Sequence, residues 1–155
     1  MIGITAYGAY LPRMRLQKKV IADANGWFDA SLKGLARGEK SVCNWDEDAI
    51  TMAVEAASDC LGAGDKSADA LIFASTSGPF LDRQHSVVVA EALNLEIDAI
   101  RTADVTASQR AATSALLFGL DIAAAKSASQ VVVVGSEHRR TQVATREEML
   151  YGDGA

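Results

Sequence analysis

DVTASQRAATSALLFGLDIAAA, residues 104–125, joins the end of an apolar strand to a nearly uncharged helix. From Ala111 onward its polar interruptions are Thr113, Ser114 and Asp121. So little polar surface predicts a buried helix. A buried helix entered from a strand end aims unpaired backbone N–H groups and a positive dipole end at one point, which suits a thiolate or a developing oxyanion. The residue best placed there is Gln109. One sheet would cover one side of the helix, so the remaining apolar surface calls for another layer.

Outward from this stretch the pattern alternates between strand and helix. Residues 100–105 read as the strand before it, residues 83–93 as a helix, and Val131-Val132-Val133-Val134 as a central strand. Residues 70–74 form a short apolar run opening into Ser75-Thr76-Ser77-Gly78-Pro79, a buried strand with a polar loop at its C-terminal end. Before it, Asn44-Trp45-Asp46-Glu47-Asp48 offers a cap and an acidic first turn, and Ile50, Ala53, Val54, Ala57 and Leu61 recur at helical spacing until Gly62 and Gly64. Residues 2–11 read as a first strand, residues 16–24 as a short helix broken by Asn25-Gly26, and residues 27–42 as a loop with a helical turn. The order predicts an α/β fold with a parallel or mixed sheet and right-handed crossovers, its ligands at the C-terminal ends of the strands.

The chain of 155 residues is 49% hydrophobic, enough for one ordinary domain spanning 1–155. A net charge of −5 with scattered cations argues against nucleic acid or an anionic membrane as partner. There is no apolar run of membrane-spanning length and no signal-peptide pattern at the start, so a cytoplasmic location is expected. Cys43 and Cys60 lack metal-site spacing, and neither His85 nor His138 stands near a second ligand in sequence, so no metal is expected. Both histidines read as surface or capping residues and Cys43 as a small buried hydrophobe. Ser108 lacks a nucleophile elbow and reads as an N-cap. Gly34, Gly38, Lys40 and Ser41 do not make a phosphate loop, because Glu39 separates Gly38 from Lys40. Asp46, Glu47 and Asp48 read as dipole compensation at a helix start. Tyr151-Gly152-Asp153-Gly154-Ala155 is a turn signal of the kind that leads into a further strand, and the domain is read as one half of a larger molecule.

Taken in order, Glu39-Lys40-Ser41-Val42, Asn44-Trp45-Asp46-Glu47-Asp48, Met52-Ala53-Val54-Glu55-Ala56-Ala57, Phe73-Ala74-Ser75-Thr76-Ser77, Gln109-Arg110-Ala111-Ala112-Thr113 and Gly152-Asp153-Gly154-Ala155 give the chain a family likeness. It resembles the N-terminal half of thiolase-superfamily condensing enzymes, in the branch of hydroxymethylglutaryl-CoA synthase and the initiating ketoacyl-ACP synthases. The resemblance implies a thiolase-like fold, this chain being one βαβαβαββ half of a five-layered αβαβα sandwich, with the C-terminal half absent. It also implies a homodimer, a coenzyme A thioester as substrate and no permanently bound cofactor. Arg37 and Lys40 would then lie beside the pantetheine tunnel and meet CoA phosphates. Accessory proteins of the family are often zinc-ribbon and OB-fold proteins.

Two positions depart from the family pattern. Where active members carry a nucleophilic Cys two residues before Ala-Ala/Gly-Thr, this chain has Gln109, which cannot act as a thiolate. Where the synthases carry the acidic residue of an Ala-Thr-Glu-Ser-Gly motif, it has Thr76, which cannot do ordinary carboxylate acid–base work. Three readings of Gln109 stay open: a decarboxylation residue, a relic, or a residue that satisfies backbone groups. The expectation is a hydroxymethylglutaryl-CoA synthase-like acyltransferase with Gln109 in the nucleophile's place, the chain alone being inactive. The alternatives are a catalytically silent binding or assembly subunit and a thioester decarboxylase. A nucleotide-binding domain lacks its fingerprint.

Overall fold

The five residues of strand β3, Ala70–Ala74, are all buried, which makes this short apolar run the axis of the fold. The computed structural model describes residues 2–62 and 67–155, so the expected stop at Gly64 lies outside the described residues. Strand β3 pairs in parallel with β4, Arg101–Val105, on one side and with β5, Val131–Gly135, on the other, giving the order β4-β3-β5. The valine run expected to be central is therefore an edge in this sheet. Its burial alternates, as suits a strand with a neighbour on one side only.

Strand alternation sends successive side chains of β3 into two different layers. Leu71 and Phe73 join a core with Ile50, Ala53 and Ala57 of helix α2, Ala49–Leu61, and with Val89 and Ala90 of α3, His85–Ala92. Ile72 and Ala74 face the other way, toward Ala111 and Ala115 of α4, Ala111–Ala124. Helix α4 lies close to the sheet at Gly119, where an added Cβ would stand 2.8 Å from Val133 Cγ2. The burial expected of α4 holds for one stripe, Ala111, Ala115 and Gly119. On its outer face Leu116, Leu117 and Phe118 are exposed.

A smaller layer packs beside this unit. Strand β1, Met14–Gln17, runs antiparallel to β2, Glu39–Val42, a strand within the stretch expected to be loop. Ile21 and Ala22 of α1, Lys18–Asn25, meet Leu32 of the 3-10 helix Ala30–Leu35 and Met149 of α5, Arg146–Leu150. Residues 2–9 enter no ladder among the described residues, and most of their side chains are exposed. Pairing starts at Tyr10, which exchanges two backbone hydrogen bonds with Ala155.

Capping also differs in detail from the sequence pattern. Asp48 is the N-cap of α2 and forms a capping box with Thr51. Asp46 and Glu47 precede the helix, and Glu47 accepts hydrogen bonds from Asn44 N and the Tyr10 hydroxyl. Helix α3 is capped from another element: Asp104 of β4 accepts from His85 N at 2.7 Å and Ser86 N at 2.8 Å. The same carboxylate meets His85 Nδ1 at 2.8 Å, while His85 Nε2 accepts from Phe80 N at 3.1 Å, which places the ring proton on Nδ1. His85 is thus an interior tie stacked against Phe73 and Phe80, with its side chain only 14% exposed, and not a surface residue. Burial opposes ionisation of Asp104, but the hydrogen bonds from Ser86 and His85 outweigh it and hold the carboxyl below its ordinary range.

Candidate active site

The three parallel strands end at a common edge, and the loops that leave them line an open cavity of about 820 Å³. From the β3–α3 loop come Thr76, Ser77 and Gly78, from the β4–α4 loop Ala107, Ser108 and Gln109, and from the segment after β5 His138, Arg139 and Arg140. Parallel α/β sheets place ligands at this edge because helix N-termini and irregular loops meet there.

Gln109 reaches the cavity through a tight turn. Ala107 has a φ of 63°, a left-handed conformation that an alanine adopts only when its surroundings hold it there. Ser108 Oγ then accepts from Arg110 N at 3.1 Å, and Ser108 O accepts from Ala111 N at 2.9 Å. The serine therefore organises the approach to α4, whose N-cap residue is Arg110. Gln109 is left exposed in the turn, so its carboxamide is available to the cavity.

Thr76, which lines the same cavity, is held by a residue that sequence reasoning did not single out. Glu137, just after β5, accepts from Thr76 N at 2.9 Å, from Thr76 Oγ1 at 2.8 Å and from Ser77 Oγ at 3.0 Å. Arg139 Nε stands 3.6 Å from the same carboxylate and stacks its guanidinium over the Tyr151 ring. A carboxylate is therefore present at the threonine, delivered from a different strand. Nothing local in the sequence marks it, because the partners are about sixty positions apart and meet only when β3 and β5 pair.

Of the other residues singled out, Arg37 is exposed and Lys40 Nζ donates to Glu148 O at 2.8 Å. Neither lines the cavity. Cys43 is buried, and burial, with the Asp153 carboxylate beside it, pushes its thiol up to about 12, so it is not a free thiolate at neutral pH.

No family model matches the chain. It is similar to hydroxymethylglutaryl-CoA synthases of Aeropyrum pernix, at 33% identity over 87% of this chain and 38% of the relative, and of Methanocella arvoryzae, at 33% over 88% and 40%. The synthase of Caldivirga maquilingensis is 32% identical over 99% of this chain and 45% of its own length. The chain thus spans less than half the length of these relatives. Among solved structures, a hydroxymethylglutaryl-CoA synthase complexed with CoA superposes with a TM-score of 0.83 at 26% identity, over 99% of this chain and 40% of that one. The 3-oxoacyl-(acyl carrier protein) synthase III of Aquifex aeolicus superposes with a TM-score of 0.82 at 21% identity, over 99% of this chain and 51% of that one, a likeness of fold. Sequence and architecture agree that the chain is a homologue of part of the hydroxymethylglutaryl-CoA synthases and shares the thiolase-like fold seen in the 3-oxoacyl synthases III.

Proposed function

We propose that this chain is part of a hydroxymethylglutaryl-CoA synthase-like acyltransferase that binds an acyl-CoA thioester at the C-terminal edge of the β4-β3-β5 sheet, with Gln109 in the place of the acyl-accepting cysteine. The convergence of Thr76 and Gln109 on one cavity carries this reading. Gln109 offers an amide N–H to a thioester carbonyl from the start of α4, where the helix dipole favours developing negative charge. It cannot form an acyl-enzyme. Thr76 Oγ1 and the Glu137 carboxylate form a short hydrogen-bonded relay that can pass a proton toward the cavity, work a lone threonine cannot do. The remainder of the enzyme would cover the outer face of α4 and complete the site, and the chain by itself would be inactive. Arg37 and Lys40 remain proposed contacts for CoA phosphates.

Intact-mass analysis of the full-length protein with acetyl-CoA, acetoacetyl-CoA and malonyl-CoA tests the reading. The wild type is expected to stay unacylated while Gln109→Cys gains one acyl group, and Gln109→Ala is expected to lose any thioester cleavage the wild type shows. An acyl group on the wild type at another residue, or a Gln109→Cys variant that folds and stays unmodified, would show that the cavity is not a thioester site. The second reading, a silent assembly subunit, is favoured by the loss of the nucleophile itself. It predicts acylation of Gln109→Cys with no turnover by the wild type.

A further inference from the structure

Three side chains that are distant in sequence converge behind the cavity wall. The thiol of Cys43, a ring nitrogen of His138 and a carboxylate oxygen of Asp153 lie within 4.8 Å of one another. Cys43 follows β2, His138 follows β5, and Asp153 lies in the segment that returns to both. The site is built from separate segments, and backbone bonds fix each one. Cys43 N donates to Asp153 Oδ2 at 2.8 Å, His138 N donates to Ser77 Oγ at 2.8 Å, and Ser41 Oγ donates to Asp153 O at 2.5 Å.

The geometry at His138 is informative. Its Nδ1 is buried and, among the described residues, has no hydrogen-bond partner, although Asp153 Oδ2 is only 3.3 Å away. The two atoms are close but not aligned to share a proton. Two ligands of one tetrahedral cation with bonds of about 2.0–2.1 Å stand roughly 3.3 Å apart, each aimed at the ion instead of at the other. The thiol completes a sulfur, nitrogen and oxygen set, and the fully buried Met52 places its thioether 3.6 Å from Cys43 Sγ. Sulfur and imidazole donors select a thiophilic cation over magnesium or calcium.

We propose that Cys43, His138 and Asp153 form a binding site for a thiophilic divalent cation of the zinc type. The ion would pin the segment after β5, which carries His138 and Arg139 into the cavity wall, to the end of β2. The linear spacing of cysteines and histidines, which argues against a metal, does not register this cluster because the fold alone assembles it.

Titration of the full chain with Co2+ tests the site independently of any enzymatic activity. The thiol is protonated in the empty site, so binding must release its proton to solvent, and the expected result is a thiolate-to-cobalt charge-transfer band that saturates at one equivalent with proton release and is bleached by Zn2+. Cys43→Ser and His138→Ala are each expected to abolish it, with unchanged far-ultraviolet circular dichroism, and Cys60→Ser to retain it. Asp153→Asn keeps the shape of the side chain and is expected to weaken Co2+ binding by about tenfold or more. The absence of a band in the wild type, its survival in Cys43→Ser, its loss in Cys60→Ser, or undiminished affinity in Asp153→Asn would each overturn the assignment.

Discussion

Asp104 shows how much one carboxylate can organise at the residue scale. It caps α3, fixes the His85 tautomer and bridges β4 to the helix beside it. Asp104→Ala removes a charged acceptor from three donors and is expected to cost about 2 to 3 kcal/mol in urea unfolding. Because the folded carboxyl titrates below its unfolded range, its contribution is complete above the unfolded value near 3.9 and disappears as pH falls through the folded one. Asp104→Asn is therefore expected to flatten the dependence of stability on pH in the acid range, as read from unfolding curves. In the sequence, Asp104 reads only as the polar end of a strand. Gln109 and Thr76 were singled out because each stands where the family resemblance places a catalytic residue, and both line the cavity. Glu137, His138 and Asp153 were not, because their meaning comes from partners reached through sheet pairing and chain return.

At the scale of elements, the position of α4 depends on how closely it approaches the sheet. Gly119 faces Val131 and Val133 with no room for a side chain, so Gly119→Val is expected to push the helix outward. Overpacking of this kind costs about 1 to 3 kcal/mol, measurable as a lowered thermal midpoint. The fully buried strand is the plainest in the sequence. The run at Ala70–Ala74 declares itself by its continuous apolar character, whereas Glu39–Val42, with exposed Glu39 and half-buried Lys40, owes its strand state to pairing with Met14–Gln17. Residues 2–11 carry a strand pattern, yet a pattern reports only a preference, and the described ladder reaches no further than Tyr10. The uncharged composition of α4 signals an apolar environment, but it does not say that a single sheet supplies one stripe of it.

For the whole molecule, the outer face of α4 presents three consecutive large apolar side chains to the surface. Leu117 and Phe118 are 55% and 51% exposed beside Leu116. On this chain alone, the pair Leu117→Lys with Phe118→Ser is expected to lower dye binding to exposed apolar surface and concentration-dependent light scattering, with unchanged secondary structure. Among the described residues no helix is long and apolar enough to cross a membrane. The return of the chain to Glu137 has a further, kinetic consequence. Glu137 and Gly154 exchange two backbone hydrogen bonds, His138 N is held by Ser77 Oγ, and the buried Met149 anchors α5, so the wall residues 140–143 hang between two fixed feet. A segment tied in this way can swing open without unzipping β5. Ligand would then enter and leave at the rate of a local loop motion, and amides in residues 140–143 should exchange with deuterated solvent well before those of Ala70–Ala74.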